Sequence, residues 1–195
     1  MKTFLFKILL LGFFLFGGYY IWFNHFNYRF SEVAQGKVYK SALIPPDKLE
    51  DYLIENNIKT VIDLLHPGLH DRLNPASQDN VNNEQFAIDD INAKYNKSIE
   101  HINIASAQVP TEDTLSRFFR VLDDKTKYPV LIHCYHGTGR AEMYSALYNI
   151  EYQGMTPDDA RSKTRTVVEF LGYKSSFASG RKKGDFLINY VPRNQ

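Results

Sequence analysis

Cysteine is almost absent from this chain: one, Cys134, occurs among 195 residues. A single thiol excludes an internal disulfide framework and any zinc site built on cysteine, whichever compartment the protein occupies. Net charge is nearly absent too. The balance of 23 lysines and arginines against 22 acids leaves +1, which removes the general electrostatic ground for a nucleic-acid partner. Internal repeats and low-complexity tracts are missing. The six histidines, His25, His66, His70, His101, His133 and His136, lack metal-ligand spacing. The closest pairing, His66 with His70, brackets Pro67 and Gly68 instead of sharing a helix face, so no metal and no cofactor is expected. What remains is an ordinary supply of apolar residues, 44% of the chain, enough for one membrane segment and one domain whose core needs no staples.

The informative stretch is Tyr128 to Ala141, YPVLIHCYHGTGRA. Pro129 to Ile132 is a short apolar run of the kind that forms a buried strand, and Met143, Ala146, Leu147 and Ile150 recur at helical spacing beyond Arg140. Between them the spacing predicts a tight loop. Gly137 and Gly139 let the backbone turn, and a loop of this kind aims successive N–H groups at one point. The helix dipole adds about half a positive charge there. This is an anion cradle, and cysteine is the nucleophile that gains most from such a field, because its thiolate is the reactive form. Arg140 adds a planar fork that can bind two phosphate oxygens at once.

Cys134, five residues, Arg140, with Gly137 third after the cysteine and His133 before it, resembles the signature of the protein tyrosine phosphatase superfamily. The run GKVYKSALIPP resembles the opening of bacterial members of its dual-specificity branch. The resemblance implies an α/β cysteine-dependent phosphatase fold and two-step hydrolysis of a phosphomonoester, with Cys134 and Arg140 catalytic. Tyr135, His136, Gly137, Thr138, Gly139 and Arg140 would form the phosphate-binding loop, and His133 would orient it from behind. The implied partner is a phosphorylated protein or a small phosphomonoester. A loop cysteine also serves rhodanese-like sulfur carriers, but Gly137 and Arg140 at this spacing suit phosphate better.

Two positions depart from that pattern. The family places an aspartate about four residues before a proline ahead of the nucleophile strand, and counting back from Pro110 reaches Ser106, which cannot act as a general acid near neutral pH. Asp113 and Glu112 are the substitutes at hand, with Asp71 a third. Second, Ala141 stands where the family carries a hydroxyl that helps the cysteine leave. Slow turnover is the implication, and a phosphate-binding pseudophosphatase is the alternative reading.

The rest of the chain supplies the frame. Residues 1–23, MKTFLFKILLLGFFLFGGYYIWF, read as an uncleaved transmembrane anchor, since about 20 helical residues span a hydrocarbon core and aromatics stand where a cleavage site would lie. Residues 24–31 are a tether and 32–195 the catalytic domain, placed on the periplasmic or extracytoplasmic side. Two short strands around Val33 and Val38 to Ser41 are expected. A helix from Pro46 through Leu49, Leu53 and Ile54 follows, then a buried strand from Ile58 to Leu64. Asn82 to Tyr95 predicts a helix with Phe86, Ile88, Ile91 and Tyr95 on one face, and Ile99 to Ile104 a strand. Thr111 caps a helix burying Leu115, Phe118, Phe119 and Leu122. Short helices are expected from Thr156 and over Lys183 to Tyr190, and the cations Lys163, Arg165, Lys174, Arg181, Lys182 and Lys183 read as a solvated face. Alternating strands and helices predict a mostly parallel sheet flanked by helices.

Overall fold

The computed structural model describes residues 2–69 and 75–193. Its centre is a five-stranded sheet in the order β1-β2-β5-β3-β4, built from β1 (Ser31–Ala34), β2 (Val38–Ala42), β3 (Thr60–Asp63), β4 (Glu100–Asn103) and β5 (Val130–Cys134). Only the β1–β2 hairpin is antiparallel; β2 and β3 both pair with β5 in parallel, and β4 pairs with β3. Strand β5 is therefore covered on both edges. Its side chains alternate between two cores, as the pleat requires.

Val130, Ile132 and Cys134 face a core shared with the helices α4 (Glu112–Asp123), α5 (Arg140–Gln153), α6 (Pro157–Thr164) and α8 (Lys182–Ile188). Leu131 faces the other core, with Leu49 and Leu53 of α2 (Pro46–Glu55) and Ile88 and Ile91 of α3 (Gln78–Tyr95). The mostly parallel sheet covered on both faces is thus as the alternation of elements implies. Leu49 and Leu53 are fully buried, each removing apolar surface worth about 1.5–3 kcal/mol.

The caps explain where the helices start. Thr111 accepts from the Thr114 N–H and the Thr114 side chain answers the Thr111 N–H, so α4 begins where expected. Ser77 and Asn80 make the same reciprocal pair, and α3 starts at Gln78, before Asn82. Its buried face is Val81, Glu84, Ile88 and Ile91. Phe86, expected on that face, is 64% exposed and Tyr95 39%; both fall off the stripe that Val81 and Glu84 begin one turn earlier. The short helix α7 (Thr166–Phe170) has no counterpart in the sequence reading.

The N-terminal segment forms α1 (Lys2–Ile21) and a π-helical turn over Trp22–Phe26. Among the described residues, no helix is long and apolar enough to cross a membrane, which corrects the transmembrane helix expected over residues 1–23. Within α1, Lys2 and Lys7 carry charge. Its apolar side chains nonetheless stand uncovered: Phe13 is 73% exposed, and Phe4, Leu11, Phe14, Leu15 and Phe16 are exposed with it.

Candidate active site

Strand β5 delivers its last two residues to the carboxyl edge of the sheet, where ligands bind in folds of this type. Cys134 is paired across from Ala42 and is buried. Helix α5 starts six residues later with Gly139 at its cap and no side chain closing its first N–H groups. One of these is engaged from within: the Ala141 N–H points at Cys134 Sγ, 3.5 Å away. The thiol therefore sits under an open helix N-terminus, where negative charge is stabilised.

Each small residue of the loop has a steric reason. Gly137 has a φ of +68°, and a Cβ there would lie 2.6 Å from the Ala42 nitrogen and 2.8 Å from the Ser41 carbonyl carbon, so the loop closes against β2 only with glycine. A Cβ on Gly139 would lie 3.1 Å from both Gln108 Oε1 and Lys183 Nζ, which places those two polar groups beside the start of α5. Tyr135 leans into a small core with Leu65, Ala76 and Val81, and His136 stands exposed beside it, the two rings 4.8 Å apart edge-on.

Arg140 is the largest fully buried side chain. Its Nη1 donates to the Leu64 carbonyl at 2.6 Å, while its Nε is buried without a hydrogen-bond partner among the described residues. An anchored guanidinium with an uncommitted N–H is suited to gripping an oxyanion. Arg29, just beyond the π-helical turn, donates through Nη1 to the His136 carbonyl and through Nε to Asn24 Oδ1 at 2.6 Å. Burial lowers the pKa of the Arg29 guanidinium from its ordinary value.

The proposed acids are not joined to this loop. Ser106 is fully buried, its hydroxyl 2.8 Å from Tyr144 OH and donating to the Ala107 carbonyl, so it belongs to the core. Glu112 and Asp113 are exposed in the first turn of α4. Glu112 lines a groove with Phe119, Asp123, Tyr190 and Arg193 whose walls include no loop residue. Asp71 and His70 lie outside the described residues.

Behind the loop is an arrangement that motif reading missed. The His133 side chain points to the α3 side of the sheet, opposite to Cys134, with its Nε2 3.0 Å from Glu84 Oε2 and 3.7 Å from Asp63 Oδ1. His101 Nε2 meets the same Glu84 oxygen at 3.1 Å and Asp63 Oδ2 at 3.6 Å. The facing carboxylates raise both histidines to about 9 against the desolvation of burial, and the two imidazoles bring Glu84 down to about 2. Asp63, Glu84 and His101 are near enough to one another to grip a cation, but their own pairing takes up those lone pairs. The signal available in the sequence was Glu84 itself, an acid in the i, i+3 row between Val81 and Ile88. For Lys183 and Arg165 the cationic run was visible; its approach to the site was not.

Residues 38–176 match the family described as DSP-PTPase phosphatase fused to NAD+ kinase. The chain is similar to the protein tyrosine phosphatase PRL-1 of Trypanosoma cruzi (strain CL Brener), 33% identical over 97 residues, which is 44% of this chain and 47% of that protein; it thus spans about half the length of that relative. Among solved structures it is similar to the core catalytic domain of the PP-IP phosphatase SIW14 from S. cerevisiae, with a TM-score of 0.57 and 16% identity over 85% of this chain and 86% of that one. It is similar also to a putative phosphatase (DUF442) from Shewanella putrefaciens CN-32, at 0.54 and 20% over 81% and 87%. TpbA of P. aeruginosa gives 0.54 and 18% over 80% and 82%. At these identities the three structures share the fold.

Proposed function

As the chain belongs to the dual-specificity-like family of the protein tyrosine phosphatase superfamily, matched over residues 38–176, we propose that it is a cysteine-dependent phosphomonoester hydrolase. The observation that carries this is the thiol of Cys134 lying 3.5 Å from the Ala141 N–H at the open start of α5, with Arg140 buried beside it. In the first step the Cys134 sulfur attacks phosphorus, the bond from phosphorus to the leaving oxygen breaks, and that oxygen takes a proton. In the second, water attacks phosphorus, the sulfur–phosphorus bond breaks and phosphate leaves. Arg140, held at Leu64, keeps Nε for the phosphoryl oxygens, and the loop N–H groups receive the rest.

The proton for the leaving oxygen is assigned to Asp113 or Glu112, which follow the segment leaving the carboxyl edge of β4, the same edge that bears Cys134. With Ser106 bound into the core and no hydroxyl at Ala141, turnover is slow in this reading. The substrate in this reading carries a single phosphate on a group such as tyrosine: the loop's own side chains Tyr135, His136 and Thr138 include no lysine, and the cations Arg29 and Lys183 that approach it come from other elements. The test is hydrolysis of an aryl phosphate by the full chain and by Cys134→Ser. Activity confined to the parent is the expected result; equal rates would reject the enzyme.

Location is a proposal of its own, supported by the uncovered Phe13, Phe14, Leu15 and Phe16 of α1. The helix seats the protein on the cell membrane with the catalytic domain on the periplasmic or extracytoplasmic side. Protease added to spheroplasts, stripped of any outer membrane, should clip the domain. Cleavage only after lysis would reverse the side, and recovery in the soluble fraction would remove the attachment.

A further inference from the structure

We infer that Glu84, Asp63 and His101 are positioning residues, holding His133 as a buried imidazolium directly behind the nucleophile. Four elements contribute one side chain each: Asp63 ends β3, Glu84 lies on α3, His101 on β4 and His133 on β5. The side chains of all four are at most 2% exposed. Two carboxylates in such a place are tolerated only with matching positive charge, because each uncompensated buried ion costs several kcal/mol. Among the described residues, the titratable side chains that meet them are the two histidines; Cys134 lies on the other face of β5.

Hydrogen-bond polarity fixes the charge on His101. Its Nδ1 lies 3.1 Å from Gln85 Oε1, and the Gln85 amide is oriented by donation of its Nε2 to Asp89 at 2.9 Å, so the oxygen facing His101 only accepts. Its Nε2 faces carboxylate oxygens, which also only accept. Both ring nitrogens therefore carry protons, and His101 is charged. That neutralises one carboxylate.

The second carboxylate is neutralised by His133. Asp63 is pinned by N–H donors, from Leu65 N at 2.7 Å and Asn103 Nδ2 at 2.9 Å. Glu84 lies between both imidazoles, its Oε2 3.0 Å from His133 Nε2, a contact between charges and not an aligned hydrogen bond, since neither ring nitrogen of His133 has a hydrogen-bond partner among the described residues. The upward shift of both histidines agrees with this arrangement. The charge on His133 is one residue from Cys134 and on the opposite face of the strand. It adds positive potential at the thiol without touching the substrate, and the clamp fixes the end of β5 from which the loop springs.

The role in catalysis rests on the phosphatase reading; the charge state does not, and the test separates them. Imidazole NMR of the full chain should show His133 doubly protonated through about pH 8. In Glu84→Gln the His133 titration should fall by at least about one pH unit, and the midpoint of the pH profile for Cys134 alkylation by iodoacetamide should move upward by about half a pH unit or more relative to the parent. A neutral His133 at neutral pH in the parent would overturn the inference without any variant. So would an unmoved alkylation profile in folded Glu84→Gln, or a stoichiometric metal bound to Asp63, Glu84 and His101. Failure to hydrolyse aryl phosphates would remove the enzyme reading and leave the titration to be decided by itself.

Discussion

Cys134 and His133 are neighbours on one strand, yet the pleat of β5 sends them into different halves of the protein. On the α5 side, Cys134 meets the loop and helix that immediately follow it, and the whole cradle comes from one continuous stretch. On the α3 side, His133 meets Asp63, Glu84 and His101, each from a separate element. The first assembly is local, the thiol lying against the first turn of the helix that follows it; the second is distributed and closed, its four side chains at most 2% exposed. Two adjacent residues of one strand are thus fixed by different parts of the chain.

The sharpest division between the two sides should come from Cys134→Ser, which changes one buried atom. Turnover should fall by roughly a thousandfold or more while the unfolding midpoint scarcely moves; a comparable loss of stability would mean that the thiol holds the fold as well. Gly137→Ala attacks the same side through the backbone, forcing a Cβ to 2.6 Å from Ala42 at a φ of +68°. It should lower stability by about 2 kcal/mol or more and activity by roughly a hundredfold, read by denaturant titration and aryl phosphate kinetics. Wild-type behaviour would show that the loop can reclose around a side chain.

The other side should announce itself through pH. Folded His101 and His133 titrate near 9, above the value of about 6.5 for an exposed histidine. Their contribution is complete below about pH 6.5 and is lost as pH rises through 9. Glu84, lowered to about 2, contributes above about pH 4.5 and loses its share as pH falls towards 2. Denaturant unfolding should therefore show highest stability between about pH 4.5 and 6.5, with a decline into alkali. A curve flat to about pH 10 would remove the imidazolium pair.

The smallest expected effect returns to the local side. Ala141→Ser adds a hydroxyl at the helix start, where its N–H already faces the sulfur. If breakdown of the cysteinyl-phosphate limits turnover, rapid mixing should show a burst in the parent and about a tenfold faster steady state in the variant, from a hydrogen bond worth about 1.5–3 kcal/mol. No burst and an unchanged steady state would place the slow step elsewhere.

The same contrast explains what the sequence could disclose. Cys134, Gly137 and Arg140 were legible because their separation is fixed by one turn of chain. So was most of the sheet, since Leu131 and Ile132 lie in a buried parallel strand that reads as an unbroken apolar run. The buried faces of α2 and α4 followed from spacing, and Thr111 from capping chemistry. Glu84 was missed although it lies in the apolar row of α3, because an acid on a helix reads as solvent-facing until its partners on β3, β4 and β5 are known. Arg29 and Lys183 were obscured for the same reason: nothing local distinguishes a cation that meets the site from one that meets water. Phe86 shows the other limit: it recurs with Ile88 and Ile91 at broadly helical spacing, and the register of α3 turns it outward.

The position of β5 has a further consequence, for biogenesis. It is the last of the five strands to be synthesised and the third in the sheet, and it is the piece that joins the β1–β2 hairpin to the β3–β4 pair. Until it is inserted, those two pairs have no common partner, and closing them depends on contacts distant in sequence, the kind that form slowly. The nucleophile is delivered by the same strand that completes the sheet. Once β5 has emerged but before it inserts, Cys134 should react with thiol reagents as an ordinary accessible thiol, and its passage to the reactivity of the folded site should come in a single step with the protease resistance of the finished sheet.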